Sequence, residues 1–139
     1  MEKREFEKLV TDAVDELPEE LRARLENVSI IVDDWPTQYQ ASKARLEQGM
    51  VLLGLYEGVP LTKRGAHYGL VTPDKITIFQ KPIEAKCQDR LSIRAEIQRV
   101  VRHEIAHHFG IDEAHIREIE ANHHSNRKMP KSNNGLIGI

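Results

Sequence analysis

The chain has 139 residues and a mass of 16.0 kDa, 40% hydrophobic and 30% charged, which predicts one soluble globular domain and excludes a disordered polar chain. Twenty Lys and Arg against twenty-two Asp and Glu leave a net charge of −2, without the basic excess of a domain built to hold nucleic acid. Cys87 is the only cysteine, which excludes an intrachain disulfide and a zinc site built on paired thiolates.

The start, Met1-Glu2-Lys3-Arg4-Glu5, is mixed in charge and opens no secretory apolar core. No stretch approaches ~18 uninterrupted apolar residues, so no membrane span is expected and the cytoplasm is the default compartment. Phe6, Leu9, Val10, Ala13, Val14 and Leu17 recur at three- and four-residue steps with Glu and Lys opposite, which predicts an amphipathic helix. Pro18 suits the start of a second short helix over Glu19 to Leu25. Val28-Ser29-Ile30-Ile31-Val32 is short and β-branched and stops at Asp33-Asp34-Trp35-Pro36, the pattern of a buried strand.

Thr37 to Gln48 is polar and compatible with helix. Met50 to Tyr56 reads as a second strand. Glu57 to Asp74, with Gly58, Pro60, Gly65, Gly69 and Pro73, reads as a loop of a length that is often functional. Lys75 to Gln80 reads as a third strand, stopped near Pro82. Asp89 to Phe109 is the strongest helix, with Ile93, Ile97, Val100, Val101, Glu104 and His108 on one side and Gly110 as its stop. Asp112 to His124 reads as a last helix and Ser125 to Ile139 as a mobile Asn-, Lys- and Gly-rich tail. The expected organisation is one domain over 1–124 followed by that tail over 125–139.

Six of the seven histidines fall between His103 and His124, and the chemistry is expected there. His103-Glu104-Ile105-Ala106-His107 is an H-E-x-x-H pattern on the strongest helix. Residues four apart lie about 40° apart around a helix and one turn up, so both imidazoles can reach one ion. Glu104 lies about 100° round from His103, where it can reach a water on the metal as a general base. Gly110 can take a left-handed turn that sends the chain back toward the ion. Glu113 then stands ten residues after His103 with Asp112 beside it. Two nitrogens, one carboxylate and an open fourth position are the make-up of a catalytic Zn²⁺ site.

The run His103 to Glu113, H-E-x-x-H-x-x-G-x-x-E, resembles the signature of the minimal zincins, small bacterial and archaeal zinc metallopeptidases of about this length. Gly58-Val59-Pro60-Leu61-Thr62 and Tyr68-Gly69 with Pro73 to Phe79 resemble the same family, and the likeness covers roughly residues 5–124. The resemblance implies an α+β, zincin-like fold: a small mixed sheet packed against an active-site helix, with flanking N- and C-terminal helices. It implies zinc on His103, His107 and a third ligand, and peptide or protein as substrate. Longer zincins with a glycine turn carry His or Asp where Glu113 stands, so Glu113 and Asp112 both remain open as the third ligand. In zincins an edge strand above the active-site helix pairs with extended peptide; Ile76 to Gln80 is the candidate, with an interior strand as the alternative.

The remaining residues carry weaker expectations. His108 is expected to pack toward the apolar side. His115, His123 and His124 fit a solvated helix face better than a second metal patch, and His67 and Lys63-Arg64 fit a solvated loop. Tyr56 and Tyr68 are candidates to steady an oxyanion. Met129 fits the tail better than a methionine turn, and Cys87 is a small apolar residue.

Three functions are weighed. The first is a zinc-dependent metallopeptidase that hydrolyses peptide bonds by a metal-bound water with Glu104 as base. The second is a metal-dependent endoribonuclease, similar to a bacterial ribosomal-RNA maturation family with His at the first, fifth and eleventh positions, here His103, His107 and Glu113. That family lacks the Glu at the second position, so Glu104 and the acidic charge favour the peptidase and disfavour nucleic acid. The third is a binding module that keeps the zincin fold without catalysis.

Overall fold

In the computed structural model residues 1–44, 51–58 and 73–134 are described, with side chains as far as His123. Helix α1 (Lys3–Asp15) forms on the expected stripe, burying Phe6, Leu9, Val10 and Ala13. Pro18 caps α2 (Glu19–Arg22), which tightens into a 3₁₀ turn at Ala23–Leu25. Leu17, Leu21 and Leu25 enter the core from this segment. Asn27, at φ 65°, turns the chain into β1 (Val28–Asp33); Asn visits that region more readily than other residues with a Cβ. Thr37 and Gln40 form a capping box that starts α3 (Gln38–Lys43). Then follow β2 (Gly54–Glu57), β3 (Asp74–Phe79), α4 (Gln80–Lys86), α5 (Arg90–Phe109) and α6 (Glu113–Asn134).

The described strands form one mixed sheet in the order β1-β3-β2. Strand β1 runs parallel to β3, with Val28 opposite Asp74 and Asp33 opposite Phe79. Strand β2 runs antiparallel to β3, with Gly54 opposite Ile78 and Glu57 opposite Lys75. The expected α+β architecture is the one observed: α5 packs on β2 and β3 and against α1. Ile93, Ile97, Val100, Val101 and Ile105 of α5 join Phe6, Leu9 and Val10 of α1 and Ile76 and Ile78 of β3 in one apolar cluster. Each such side chain, fully buried, contributes roughly 1.5–3 kcal/mol. Gln98 Nε2 donates to the Ala13 carbonyl at 2.9 Å, and Arg90–Glu5 and Arg94–Glu16 ion pairs flank that contact. Among the described residues no helix is long and apolar enough to cross a membrane.

The structure corrects several sequence expectations. Strand β3 is interior, and Ile76, Thr77, Ile78 and Phe79 are each fully buried; among the described strands the outer one beside α5 is β2. Strand β1, read as buried, is an outer strand whose residues are half-buried except Val32 and Asp33, because β3 covers only one of its edges. The third strand ends at Phe79, and Gln80 opens α4. Pro82 is tolerated there because the first turn of a helix has no intrahelical use for its N–H groups. The second strand, expected over Met50 to Tyr56, is shorter and covers Gly54–Glu57; positions 45–50 lie outside the described residues. Helix α6 runs past His124 to Asn134. The segment beyond His124 contains good helix formers such as Arg127, Lys128 and Met129 and no glycine before Gly135.

Gly54 permits the close approach of β2 to α5. A Cβ at position 54 would stand 2.4 Å from Val100 Cγ1 and 3.3 Å from the Thr77 carbonyl oxygen. Gly54→Ala is expected to lower unfolding stability by about 1–3 kcal/mol through overpacking. Val100→Ala added to it should recover part of that loss, a non-additivity readable in urea denaturation of the single and double variants.

Candidate metal centre

Helix α5 carries the centre near its C-terminal end. Its start is set by a capping box in which Asp89 Oδ1 accepts the Ser92 N–H at 2.8 Å and Ser92 Oγ accepts the Asp89 N–H at 3.1 Å. Its end is set by Gly110, at φ 68° and ψ 31°. The N–H groups of Gly110 and Ile111 both return to the Ala106 carbonyl as the chain reverses. Helix α6 begins at once. Asp112 Oδ1 accepts the His115 N–H at 2.8 Å, the geometry of an N-cap.

His103 and His107 are exposed and sit side by side, their ring centroids 6.2 Å apart and their planes 22° from parallel. Glu104 is half-buried and turned toward the sheet. Its Oε1 accepts the main-chain N–H of Tyr56 at 2.9 Å. Tyr56 pairs with Ile76 in an antiparallel ladder, and its N–H points away from β3, so Glu104 takes a donor the sheet does not use. The Tyr56 ring stacks on His108 at 3.8 Å and 15°, and its hydroxyl donates to Asp74 Oδ2 at 2.8 Å. His108, expected on the apolar side, is exposed and packs by that stacking and by an edge contact to Phe109 at 4.8 Å.

The histidine pair borders two grooves. One of ≈ 620 Å³ opens toward β2 and is lined by His103, Glu104, His107, Leu55 and Tyr56 among others. The other, of ≈ 310 Å³, lies toward α6 and is lined by His103, His107, Gly110, Asp112 and Glu113. The two acids differ in commitment. Asp112 caps α6, whereas Glu113 is 84% exposed and its Oε2 stands 3.7 Å from Arg117 Nη1. Among the described residues no group of three His, Cys, Asp or Glu side chains is gathered closely enough to hold a metal ion. Two imidazoles one helical turn apart, beside a groove that Asp112 and Glu113 also line, suit zinc in donor chemistry.

The other candidates fall elsewhere. His115 Nε2 stands 3.2 Å from Glu20 Oε2 and joins α6 to α2. His123 is half-buried with its Nε2 out of contact with solvent. Burial and the Ser92 carbonyl contact place Cys87 as a packed thiol, pushed above its usual pKa chiefly by desolvation. His67, Tyr68, Lys63 and Arg64, and the side chains of His124 and Met129, lie outside the described residues. One group escaped the sequence reading altogether: the Tyr56 amide on Glu104. Every residue but proline carries such a donor, so no residue type signals it.

The model of the zincin-like metallopeptidase family matches residues 25–123. The chain belongs to that family, with the metallopeptidase class of activity and the use of zinc that the family carries in general. A search of curated proteins found no match to the chain.

Gly110 has open space where a Cβ would stand, with nothing within 4 Å. Gly110→Ala is therefore expected to cost about 1 kcal/mol from the left-handed backbone alone. Gly110→Asn should cost less, because Asn tolerates that region. Urea unfolding midpoints of the two variants check the order.

Proposed function

We propose that the chain is a zinc-dependent peptidase in which His103, His107 and Glu113 hold the ion and Glu104 is the general base. One observation carries the reading: the Glu104 carboxylate is held against the β2 edge by Oε1, in the same groove that His103 and His107 line. Zinc held there would polarise a scissile carbonyl and lower the pKa of water to ~7. Glu104, tethered through Oε1, presents Oε2 to take the proton of the attacking water and to pass it to the leaving amine nitrogen. The tether keeps the base beside the histidines without a rotamer search, so little ordering entropy is lost when substrate arrives. Strand β2, which lines the groove, replaces the interior β3 as the strand along which an extended peptide would lie.

Glu113 is favoured over Asp112 as third ligand on two counts. Asp112 is engaged in capping α6, and Glu113 has only a long contact to Arg117 to give up.

Protein purified without a His-tag is expected to carry about one zinc per chain by elemental analysis, lost in the His103→Ala, His107→Ala double variant. Glu104→Gln should retain zinc and fold but lose ~10²–10⁴-fold of its hydrolysis of a mixed peptide library read by mass spectrometry. Undiminished peptide cleavage in Glu104→Gln would refute the mechanism. Cleavage of structured RNA that survives the same substitution would transfer the site to the ribonuclease class, and intact zinc with no turnover of either would leave a binding module.

The two acids separate in a different experiment. In a chelator-competition titration Glu113→Ala is expected to weaken zinc binding by at least about tenfold more than Asp112→Ala. Asp112→Ala should instead lower stability by about 0.5–2 kcal/mol, the cost of a lost N-cap. The reverse order reassigns the ligand to Asp112.

A further inference from the structure

A third groove, of ≈ 290 Å³, runs between α5 and α6 and shares His103 and Glu113 with the metal centre. Its other lining residues are Arg99, Arg102, Ala106, Ile116 and Arg117. Helical spacing explains the grouping. Arg99 stands one turn before His103, Arg102 one turn before Ala106, and Glu113, Ile116 and Arg117 share one stripe of α6. Ala106 and Ile116 supply apolar lining, and Arg99, Arg102 and Arg117 bring three cationic side chains to its walls.

The arginines are not equally occupied. Arg99 is anchored by Glu96, with Nε to Oε1 at 2.9 Å and Nη2 to Oε2 at 2.6 Å. Those two bonds, with Lys86 Nζ at 2.7 Å, hold the Glu96 carboxyl down to about 2. Among the described residues Arg102 has one ionic contact, Nε to Glu120 Oε1 at 3.4 Å, which is not a hydrogen bond, since that oxygen has no hydrogen-bond partner. Among the described residues Arg117 has one ionic contact, the 3.7 Å approach to Glu113. A guanidinium offers five N–H donors, so Arg102 and Arg117 keep most of theirs for another acceptor. When Glu113 turns toward the histidines, Arg117 loses its one acid and the groove gains positive character.

The geometry points to a carboxylate-binding subsite: the α5–α6 groove receives an acidic side chain, or the terminal carboxylate, of a peptide lying across the histidine pair. The inference rests on the peptidase reading for the rest of the peptide's placement. Its chemistry is that of the forked guanidinium, which accepts planar carboxylates with two parallel bonds. The volume sits at the small end of ligand pockets, ~300 Å³ and upward, which suits one side chain or a chain end rather than a folded partner. The arginines are partly exposed, so the attraction weakens as salt rises.

Four blocked or free tripeptides test it against the purified full-length chain with its own metal content. Acetyl-Ala-Glu-Ala-amide is compared with acetyl-Ala-Gln-Ala-amide, and acetyl-Ala-Ala-Ala with a free carboxylate is compared with its amide. Binding is followed through the arginine Nε–Hε signals in NMR. At least one acidic member is expected to bind about tenfold more tightly than its neutral twin and to shift Arg102 and Arg117; which pair shows the preference identifies a side-chain or a terminal carboxylate. Arg117 is 74% exposed, so Arg117→Gln should fold normally and cut the preference by about fivefold or more, while Arg117→Lys should restore only part of it. Equal affinity for acidic and neutral members, or a preference unchanged in Arg117→Gln together with Arg102→Gln, overturns the subsite. Acid preference without any Glu104-dependent hydrolysis supports the subsite and sinks the peptidase reading. Glu104-dependent hydrolysis with no acid preference does the opposite.

Discussion

Strand β2 lies so near α5 that residue 54 has no room for a side chain, and the candidate site follows from that approach. With Gly54 against Val100, the next outward main-chain N–H along the strand, that of Tyr56, falls 2.9 Å from the Glu104 carboxylate. The same register lays the Tyr56 ring over His108 and carries its hydroxyl to Asp74 at the start of β3. A wider gap between strand and helix would leave Glu104 free to rotate and open the groove beneath the histidines to solvent. The core supports the approach from behind, because Ile76, Ile78, Ile97 and Val101 are fully buried and leave the helix little freedom to retreat.

The turn at Gly110 joins two helix ends of opposite character. Exposed carbonyls make the C-terminal end of α5 favourable to positive charge, and exposed amides make the N-terminal end of α6 favourable to carboxylates. His107 stands in the last turn of the first, with His103 one turn before it, and Asp112 and Glu113 stand at the second. The acids are therefore stabilised where they are, each by about 0.3–1 kcal/mol, and Asp112 gains a cap bond besides. A cation between the two ends would be favoured by the α5 carbonyls and the acids together. Recruiting Glu113 to it costs little, since the acid leaves solvent and a long contact to Arg117 rather than a buried hydrogen bond.

Local pattern was a good guide where an element has one apolar face and marked ends. The stripe of α1, the start of α5 at Asp89, its stop at Gly110 and the histidine spacing were all legible in this way. Helix α4 was not, because Pro82 reads as a stop to a strand and serves equally well in the first turn of a helix. Strand β1 was misjudged for a related reason. A short apolar β-branched run is the same whether the strand is central or outer, and only the neighbours distinguish the two.

The sequence by itself determined the family and where the candidate donors stand: two imidazoles and a carboxylate on one helix, a glycine turn, and two acids just beyond it. These are local relations, governed by 3.6 residues per turn and by the one residue type that enters a left-handed turn without strain. Only the tertiary structure decided that β2, not β3, borders the groove, that the Tyr56 amide holds Glu104, and that Arg99 and Arg102 line one groove with Arg117 of the next helix. Strand pairing and the Tyr56 amide bond use main-chain groups that every residue type shares, and helix–helix contact joins side chains far apart in the chain, so their outcome is set by packing and leaves no local mark in the sequence.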